Sequence, residues 1–566
     1  MRSVPACRLA HALLEQYFNT HCRENGIALP PPRPPSASAL PERLRQRVRD
    51  TGLGPFAVAL QGGERQLVGI VTRPSLIGWH CLDERLWLEE SGEWTLLEDA
   101  RALADLMADH LAASQPYISP HAAQHLKAAM RNSIDHAHRY HERSTPPPSC
   151  EFVHGEQGLR QGHSFHVTSK ASEGFDDTDL QRFAPELGAR FRLHYFAVAP
   201  SLYAGSSLWP ADPEARQQAV RLLHHHPAAQ WPLLACHPWQ ANRLLAQPAM
   251  AAMLARGDLL SLGPLGEVAI PTSSVRTVWL PQAGCFLKLA LDIRITNFVR
   301  HNPPEQVRRA LDASQALAQL PAHAIDAPHF RVLLETGVQS LAVDDPSLLA
   351  GTAVLHRQAL DAAAMSRFQV MAAVLEASDD LAGTGLAALL REAAGAALQR
   401  GFVRAWWQQY LGVTLQPLLD LFFDHGIGLE AHLQNSLVRF DGGWPACGLV
   451  RDMEGATVSE ERASSRLPAD SPARYPDAQG WQRFQYYVLV NHIGQVAAVL
   501  ARGGVIEEAE LWREVGQCLA AREDRRAAQL CRQATLPAKA NLLSTFAGCG
   551  EHPLWVSIPN PLYQEA

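Results

Sequence analysis

A chain of 566 residues with 47% hydrophobic and 19% charged side chains has ample apolar material for a globular core. Its net charge of −7 is spread along the sequence, which excludes a duplex-binding surface built on a basic stripe. No stretch approaches the roughly 18 apolar residues of a spanning helix, so neither nucleic acid nor membrane is expected as a partner.

At roughly 100–200 residues per domain, the length suggests about three lobes. The opening stretch "MRSVPACRLAHALLEQYFNTHCRENG" lacks the continuous apolar block of a signal peptide. Leu9, Leu13 and Phe18 fall near helical spacing, which predicts an amphipathic helix. The proline-rich "LPPPRPPSASALP" (29–41) then breaks the chain. "GPFAVALQ" and "RQLVGIVTRPSLIGWHCL" read as short strands, and "ALADLMADHLAA" as a helix. A second break, "STPPPSC" (144–150), sets a boundary that makes 1–150 a first lobe. Strand-like segments dominate 151–345. From 346 to 566 "SRFQVMAAVLEA", "GLAALLREAAGAALQRGFVRAWWQQYLG" and "LQPLLDLFFDHG" repeat apolar residues at helical intervals. The ten cysteines are scattered without a CxxC pair, as expected of reduced thiols in a cytoplasmic protein. The run His224-His225-His226 stands before Pro227 and reads as a solvated helix end rather than a metal site.

Two segments carry most of the chemistry. In "FLKLALDIRITNFVR" (286–300), Lys288, Ala290, Asp292, Arg294 and Thr296 alternate with Leu287, Leu289, Leu291, Ile293 and Ile295. That period of two predicts a strand with one apolar face. The polar face is either a wet outer surface or a binding surface. "PTSSVRTVWLP" (271–281) is a second strand candidate. Paired with an even register sum, it would put Ser274 and Arg276 beside Lys288 and Asp292, gathering Arg276, Lys288, Arg294 and Arg300. Clustered cations are explained by an anion between them, and arginine suits carboxylate or phosphate oxygens.

The other segment is "HGIGLEAHLQN" (425–435). As a strand it would present Glu430, His432 and Gln434 on one face. "DGGW" (441–444) supplies a turn, and "ACGLVRDMEG" returns to Asp452. Two carboxylates beside an imidazole suit a hard cation such as Mg2+, or else form a satisfied buried network. A nucleoside triphosphate with Mg2+ would answer both segments. The chain holds no GxxxxGK[ST] loop and no kinase-type glycine loop, so such a site must be built another way.

"GHSFHVTSK" (162–170), "CHPWQ" (236–240), "PTSSVRTV", "KLALDIRITNFVR", "GIGLEAHLQN", "LVRDMEG" and "IPNPL" (558–562) together resemble the successive motifs of the NRPS-independent siderophore synthetases, aerobactin-synthetase type. The resemblance implies an α+β fold shaped as a three-part hand: a thumb, β-rich fingers and a largely helical palm. It implies adenylation of a carboxylic acid, usually citrate, with ATP and Mg2+, then condensation with an amine or alcohol, in a protein that is often a homodimer. By the same resemblance Arg276, Lys288, Arg300 and His432 are catalytic. Ser274, Arg276, Lys288, Asn297, His163, His166 and Lys170 bind the nucleotide. Thr296, Arg300, His432 and Gln434 hold the acid, and Glu430 and Asp452 the metal. The chain departs from the family at Ser164, Val167 and Ser172, where two prolines and a basic residue are usual, which bears on which acid is held. His237 and Trp239 of "CHPWQ" read as a packing corner. The other function classes are a Mg-ATP phosphotransferase releasing ADP and a non-catalytic binding protein derived from the family.

Overall fold

The computed structural model describes residues 4–30, 40–60, 64–83, 86–115, 120–142, 150–205, 212–296, 298–376, 383–549 and 552–563. Both proline-rich breaks fall largely outside these residues.

The N-terminal part folds as an antiparallel sheet, Pro55–Ala59, Arg65–Arg73, Leu86–Glu90 and Glu93–Leu97, with Cys81–Leu82 on its flank. Helices Val4–Glu24, Ala100–Ser114 and Pro120–Glu142 pack on it through Phe18, Phe56, Leu67, Met107 and Met130. The first helix is not amphipathic as expected: every residue from Leu9 to Glu24 is buried. Its polar side chains are buried because other segments meet them. Gln16 Nε2 donates to the His163 carbonyl (2.6 Å), Asn19 Nδ2 to the His80 carbonyl (2.8 Å), and Glu24 accepts from the Leu542 and Leu543 amides (2.9 Å each). Buried polar groups with such partners avoid the desolvation penalty. This helix therefore ties the segment 162–170 and the last helix of the described residues, Asn541–Ala547, to the first lobe.

An eight-stranded sheet forms the middle. Its order is Tyr203–Gly205, Glu335–Leu341, Val354–Gln358, Cys285–Lys288, Thr277–Leu280, Leu259–Pro271, Phe191–Val198, Leu233–Cys236. Helices Pro213–Leu222, Pro238–Leu245, Pro248–Arg256 and Pro304–Ala318 interleave with its strands, each opening on a proline that needs no helical hydrogen bond.

The C-terminal part has the largest core, around Trp406, Trp407, Tyr410 and Trp512. Helices Gly385–Ala394, Arg400–Val413 and Leu415–Phe423 match the helical periodicity. "SRFQVMAAVLEA" does not: Phe368–Val370 is a strand, paired with Ser436–Asp441, and a single helical turn follows. Edge pairing overrode the local pattern there. The hairpin Ser436–Asp441/Trp444–Val450 closes through Gly442 (φ 56°) and Gly443 (φ 76°). Two successive positive φ values are what a tight two-residue hairpin requires. No helix among the described residues is long and apolar enough to cross a membrane.

Candidate active site

The expected hairpin of Thr277–Leu280 with Cys285–Lys288 is present, but its register pairs Thr277 with Lys288, an odd sum. Strand alternation therefore does not carry Arg276 to the face of Lys288. A turn does. Residues 272–276 leave the strand, with Val275 at φ 67°, and the Ser274 hydroxyl accepts from the Thr277 amide (3.2 Å). Nor is 286–300 one strand. The ladder stops at Leu289 and Ala290, and Leu291–Ile295 joins a separate small sheet with Phe298–Arg300 and Ser172–Glu173. Asp292 pairs with Arg243 and His301, and Arg294 lies exposed near Glu173 (3.6 Å), so neither meets Arg276.

Arg276 and Lys288 do converge, on carboxylates from beyond the second hairpin. Lys288 Nζ lies 2.9 Å from Asp452 Oδ1 and 2.6 Å from Glu454 Oε2. Arg276 Nη2 is 3.8 Å from the same Glu454 oxygen, while its Nη1 donates to Asn302 Oδ1 (2.6 Å) and the His301 carbonyl (2.8 Å). Arg357 Nε donates to Glu335 (2.8 Å), and its Nη2 is 3.3 Å from Asp452 Oδ2. Burial alone would raise the Asp452 carboxyl, but Lys288 and Arg357 hold it far below the usual carboxylate range. Glu454, opposed likewise by burial, is held down by Lys288 and Arg276. Asp452 sits at φ 74°, a strained position for a non-glycine residue, which aims its carboxylate at the cluster.

Arg300 closes the cationic side. Its Nη2 donates to the Ile295 carbonyl and to Thr296 Oγ1, both at 2.9 Å, and its buried Nε has no hydrogen-bond partner among the described residues. Burial and the neighbouring Arg276 push it down to about 10. Thr296 (φ 58°) is held by its amide on the Ala171 carbonyl (3.0 Å). Asn297 lies outside the described residues.

Residues 429–435 are not a strand: pairing begins only at Ser436. The burial alternation survives, with Leu429, Ala431 and Leu433 inward. Side chains replace the ladder. His432 Nδ1 accepts from the Gln434 amide (3.2 Å), Asn435 Nδ2 donates to the Glu430 carbonyl (3.1 Å), and His492 Nδ1 bonds the Ala431 carbonyl (3.0 Å). That leaves the proton of His432 on Nε2, 3.8 Å from Glu430 Oε1. Burial pushes His432 down to about 3, so it is neutral at pH 7. Burial raises the Glu430 carboxyl, against a lowering pull from Lys539. Tyr487, in the π-helical segment Gln485–Ile493, bonds Glu430 and accepts from Lys539 Nζ (2.5 Å).

The loop 162–170 covers this side. The His163 ring packs edge-on against His432 (5.0 Å), and burial pushes both His163 and His166 down to about 3. Lys170 Nζ is taken up by Glu186 (2.6 Å), both buried. Gln434 Nε2 donates to Ser273 Oγ (3.1 Å), and Ser273 and Arg451 share the buried Glu156. His237 caps the helix behind it through Trp239 N (3.2 Å) among Phe175, Phe183 and Phe191, the packing corner expected. His224–His226 are exposed at a helix end, as read from the sequence.

The sequence reading missed Glu454, Arg357, Glu335, Lys539 and Tyr487. Only Glu454 had a signal, standing two residues past Asp452 in a turn. Orphaned or bridging guanidinium groups suit phosphate oxygens. Among the described residues no set of three or more His, Cys, Asp or Glu side chains is poised to hold a metal. Mg2+ takes one or two carboxylates and completes its shell with phosphates and water, so the donors it would need here are of the kind Glu430 and Asp452 would offer once phosphate takes over Lys288 and Arg357.

A profile of the IucA/IucC family matches residues 151–376, and a profile described as ferric iron reductase FhuF-like transporter matches 404–554. An L-2,3-diaminopropanoate–citrate ligase of Staphylococcus aureus is 30% identical over 98% of this chain and 96% of its own. The rhizobactin siderophore biosynthesis protein RhbC of Rhizobium meliloti is 28% identical over 87% and 89%. The ATP-bound aerobactin synthetase IucA of Klebsiella pneumoniae superposes with a TM-score of 0.84 at 23% identity, covering 98% of this chain and all of that one.

Proposed function

Since the chain belongs to the IucA/IucC family, we propose that it is an ATP-dependent siderophore synthetase that adenylates citrate or a citrate derivative and condenses it with an amine or alcohol. The observation that carries this is the meeting of Arg276 and Lys288, from the middle sheet, with Asp452 and Glu454, from beyond the second hairpin. Attack of a carboxylate on a phosphate sets anion against anion, and fixed charges in a buried site stabilise what develops between them.

In this reading Ser274, Arg276 and Lys288 hold the phosphates of ATP, with Asn297, His163, His166 and Lys170 on the nucleotide side. Thr296, Arg300, His432 and Gln434 hold the acid. The neutral His432 offers its Nε2 proton to a substrate oxygen without adding charge. Glu430 and Asp452 would hold Mg2+, which supplies neutralisation of phosphate charge when bound. An oxygen of the acid's carboxylate attacks the α-phosphorus near Arg276. The bond to the bridging oxygen breaks, and its electron pair leaves on pyrophosphate. The amine nitrogen then attacks the acyl carbon, the carbon–oxygen bond breaks with its pair on AMP, and the nitrogen's protons pass to water. Thumb 1–150, fingers 151–345 and palm 346–566 remain the proposed division, in a homodimer. The free thiols of the described residues support a cytoplasmic setting.

Incubation with ATP, Mg2+, citrate and hydroxylamine as surrogate nucleophile tests the reading. Pyrophosphate released only with acid present supports it. ADP in place of pyrophosphate would point to a phosphotransferase, and no turnover over a broad panel of acids to a binding protein.

A further inference from the structure

The loop 162–170 brings His163 and His166 to the site, yet it has no helix or ladder to stiffen it. It runs in turns, closed by the His166 amide on the His163 carbonyl (3.2 Å) and the Ser169 amide on the His166 carbonyl (3.0 Å). Side chains from distant parts of the chain hold it instead. Gln16 of the first helix, 6% exposed, donates its Nε2 to the carbonyls of both His163 (2.6 Å) and His166 (3.2 Å). Its neighbour Tyr17, also buried, donates its hydroxyl to the Val167 carbonyl. Asn541 Nδ2 donates to the Phe165 carbonyl (2.9 Å), and the Arg23 guanidinium lies over the Phe165 ring at 3.9 Å. At the loop's far end, Ser133 Oγ accepts from the Lys170 amide (3.0 Å) and His136 Nδ1 donates to the Lys170 carbonyl (2.9 Å). An amide nitrogen carries two hydrogens, and Gln16 spends them on the two histidine carbonyls. It therefore fixes the turn that sets one imidazole against the other. Both imidazoles are buried and neutral, so each can act on a phosphate only through a directed hydrogen bond. Direction is what the Gln16 contacts supply.

We propose that Gln16 is a positioning residue for the nucleotide: by pinning the His163 and His166 carbonyls it aims both imidazoles at the triphosphate, so the first helix takes part in gripping ATP through the loop. A buried side chain on a long, fully packed helix is a rigid point from which to hold an irregular loop, and groups that orient a binding side chain count nearly as much as the side chain itself. The proposal rests on the nucleotide-side reading of His163 and His166 above, and the test separates the two.

Gln16→Leu keeps the bulk and removes both donors. With citrate saturating and hydroxylamine as acceptor, its KM for ATP, read by pyrophosphate release, should rise ~10-fold, since a small misplacement of a positioned group is costly. Loss of folded protein alone would lower kcat and leave that KM where it is. Because Gln16 acts through the two histidines, adding Gln16→Leu to His163→Ala/His166→Ala should raise the KM less than ~2-fold further. An unchanged KM in Gln16→Leu, or a full ~10-fold rise on top of the two alanines, overturns the proposal. Should Gln16→Leu fail to fold, Tyr17→Phe, which deletes one hydroxyl, decides: a raised KM for ATP supports the clamp and an unchanged one refutes it. A parent that releases no pyrophosphate strikes the synthetase reading. Calorimetric titration of ATP into the parent and Gln16→Leu then reads the grip by itself: ~10-fold weaker binding in the variant supports it, and equal or absent binding refutes it.

Discussion

Replacing Lys288 with Met probes the ion cluster at its centre. The ammonium is 7% exposed and bridges Asp452 and Glu454, each about a quarter exposed. Methionine keeps the length and removes the charge, leaving two carboxylates facing one another. Removing one partner of a buried pair costs about 3–5 kcal/mol. Arg276 and Arg357 remain close to the carboxylates, so the lower end, about 3 kcal/mol, is expected. The sign with pH follows from Asp452. Its folded pKa lies below the unfolded one, so its stabilisation is complete above about pH 4 and is lost as pH falls through the folded value. The full cost should therefore appear at neutral pH. Urea midpoints for the parent, Lys288→Met, Asp452→Asn and the double variant form the assay. The double variant should recover about 2 kcal/mol relative to the sum of the singles. Citrate-dependent pyrophosphate release by Lys288→Met should fall ~10²-fold or more. Additive midpoints together with unchanged turnover would refute the reasoning.

Gly455→Ala would place a Cβ 1.5 Å from Glu430 Oε2, so that carboxylate must move. The expected result is a folded protein whose Mg2+ requirement, read by varying Mg2+ in the pyrophosphate assay, rises ~10-fold; an unchanged requirement removes Glu430 from the metal's ligands. Arg357→Met leaves Glu335 buried without its cation and should lower stability by about 3–5 kcal/mol, checked by the urea midpoint. Burial pushes His21, His163, His166, His237, His356 and His432 down to about 3, and His80 and His492 to about 4. Their folded pKa values lie below the unfolded one, so stability is complete above about pH 6.5 and is lost as pH falls from there to about 4 for His80 and His492 and to about 3 for the other six. Each removes about 1.4 kcal/mol per pH unit, and His237→Phe should take one such share out of the slope.

The hairpins were legible because alternation and paired glycines are local signals: Thr277–Leu280 with Cys285–Lys288, and Ser436–Asp441 through Gly442 and Gly443. The register that joins Arg276 to Lys288 was not, because a turn at Val275 sets it rather than the strand pattern. The face shared by Glu430, His432 and Gln434 was read correctly from its period, yet the backbone there is irregular and held by Asn435 and His492. Arg357 sits in the largely buried strand Val354–Gln358, and its partners Glu335 and Asp452 come from distant parts of the chain. Lys539 and Tyr487 reach Glu430 only through the packing of the C-terminal core. Contacts of that kind leave no trace in spacing. The buried character of the first helix was hidden likewise, since its Gln16, Asn19 and Glu24 read as polar surface until their partners are known.

The central claim is that the acid's carboxylate attacks the α-phosphorus beside Arg276. Citrate carrying heavy oxygen in its carboxylates tests it directly, with hydroxylamine as acceptor and mass spectrometry of the nucleotide product. One heavy oxygen in each AMP is the expected result. Unlabelled AMP, or the label in inorganic phosphate beside ADP, would contradict it.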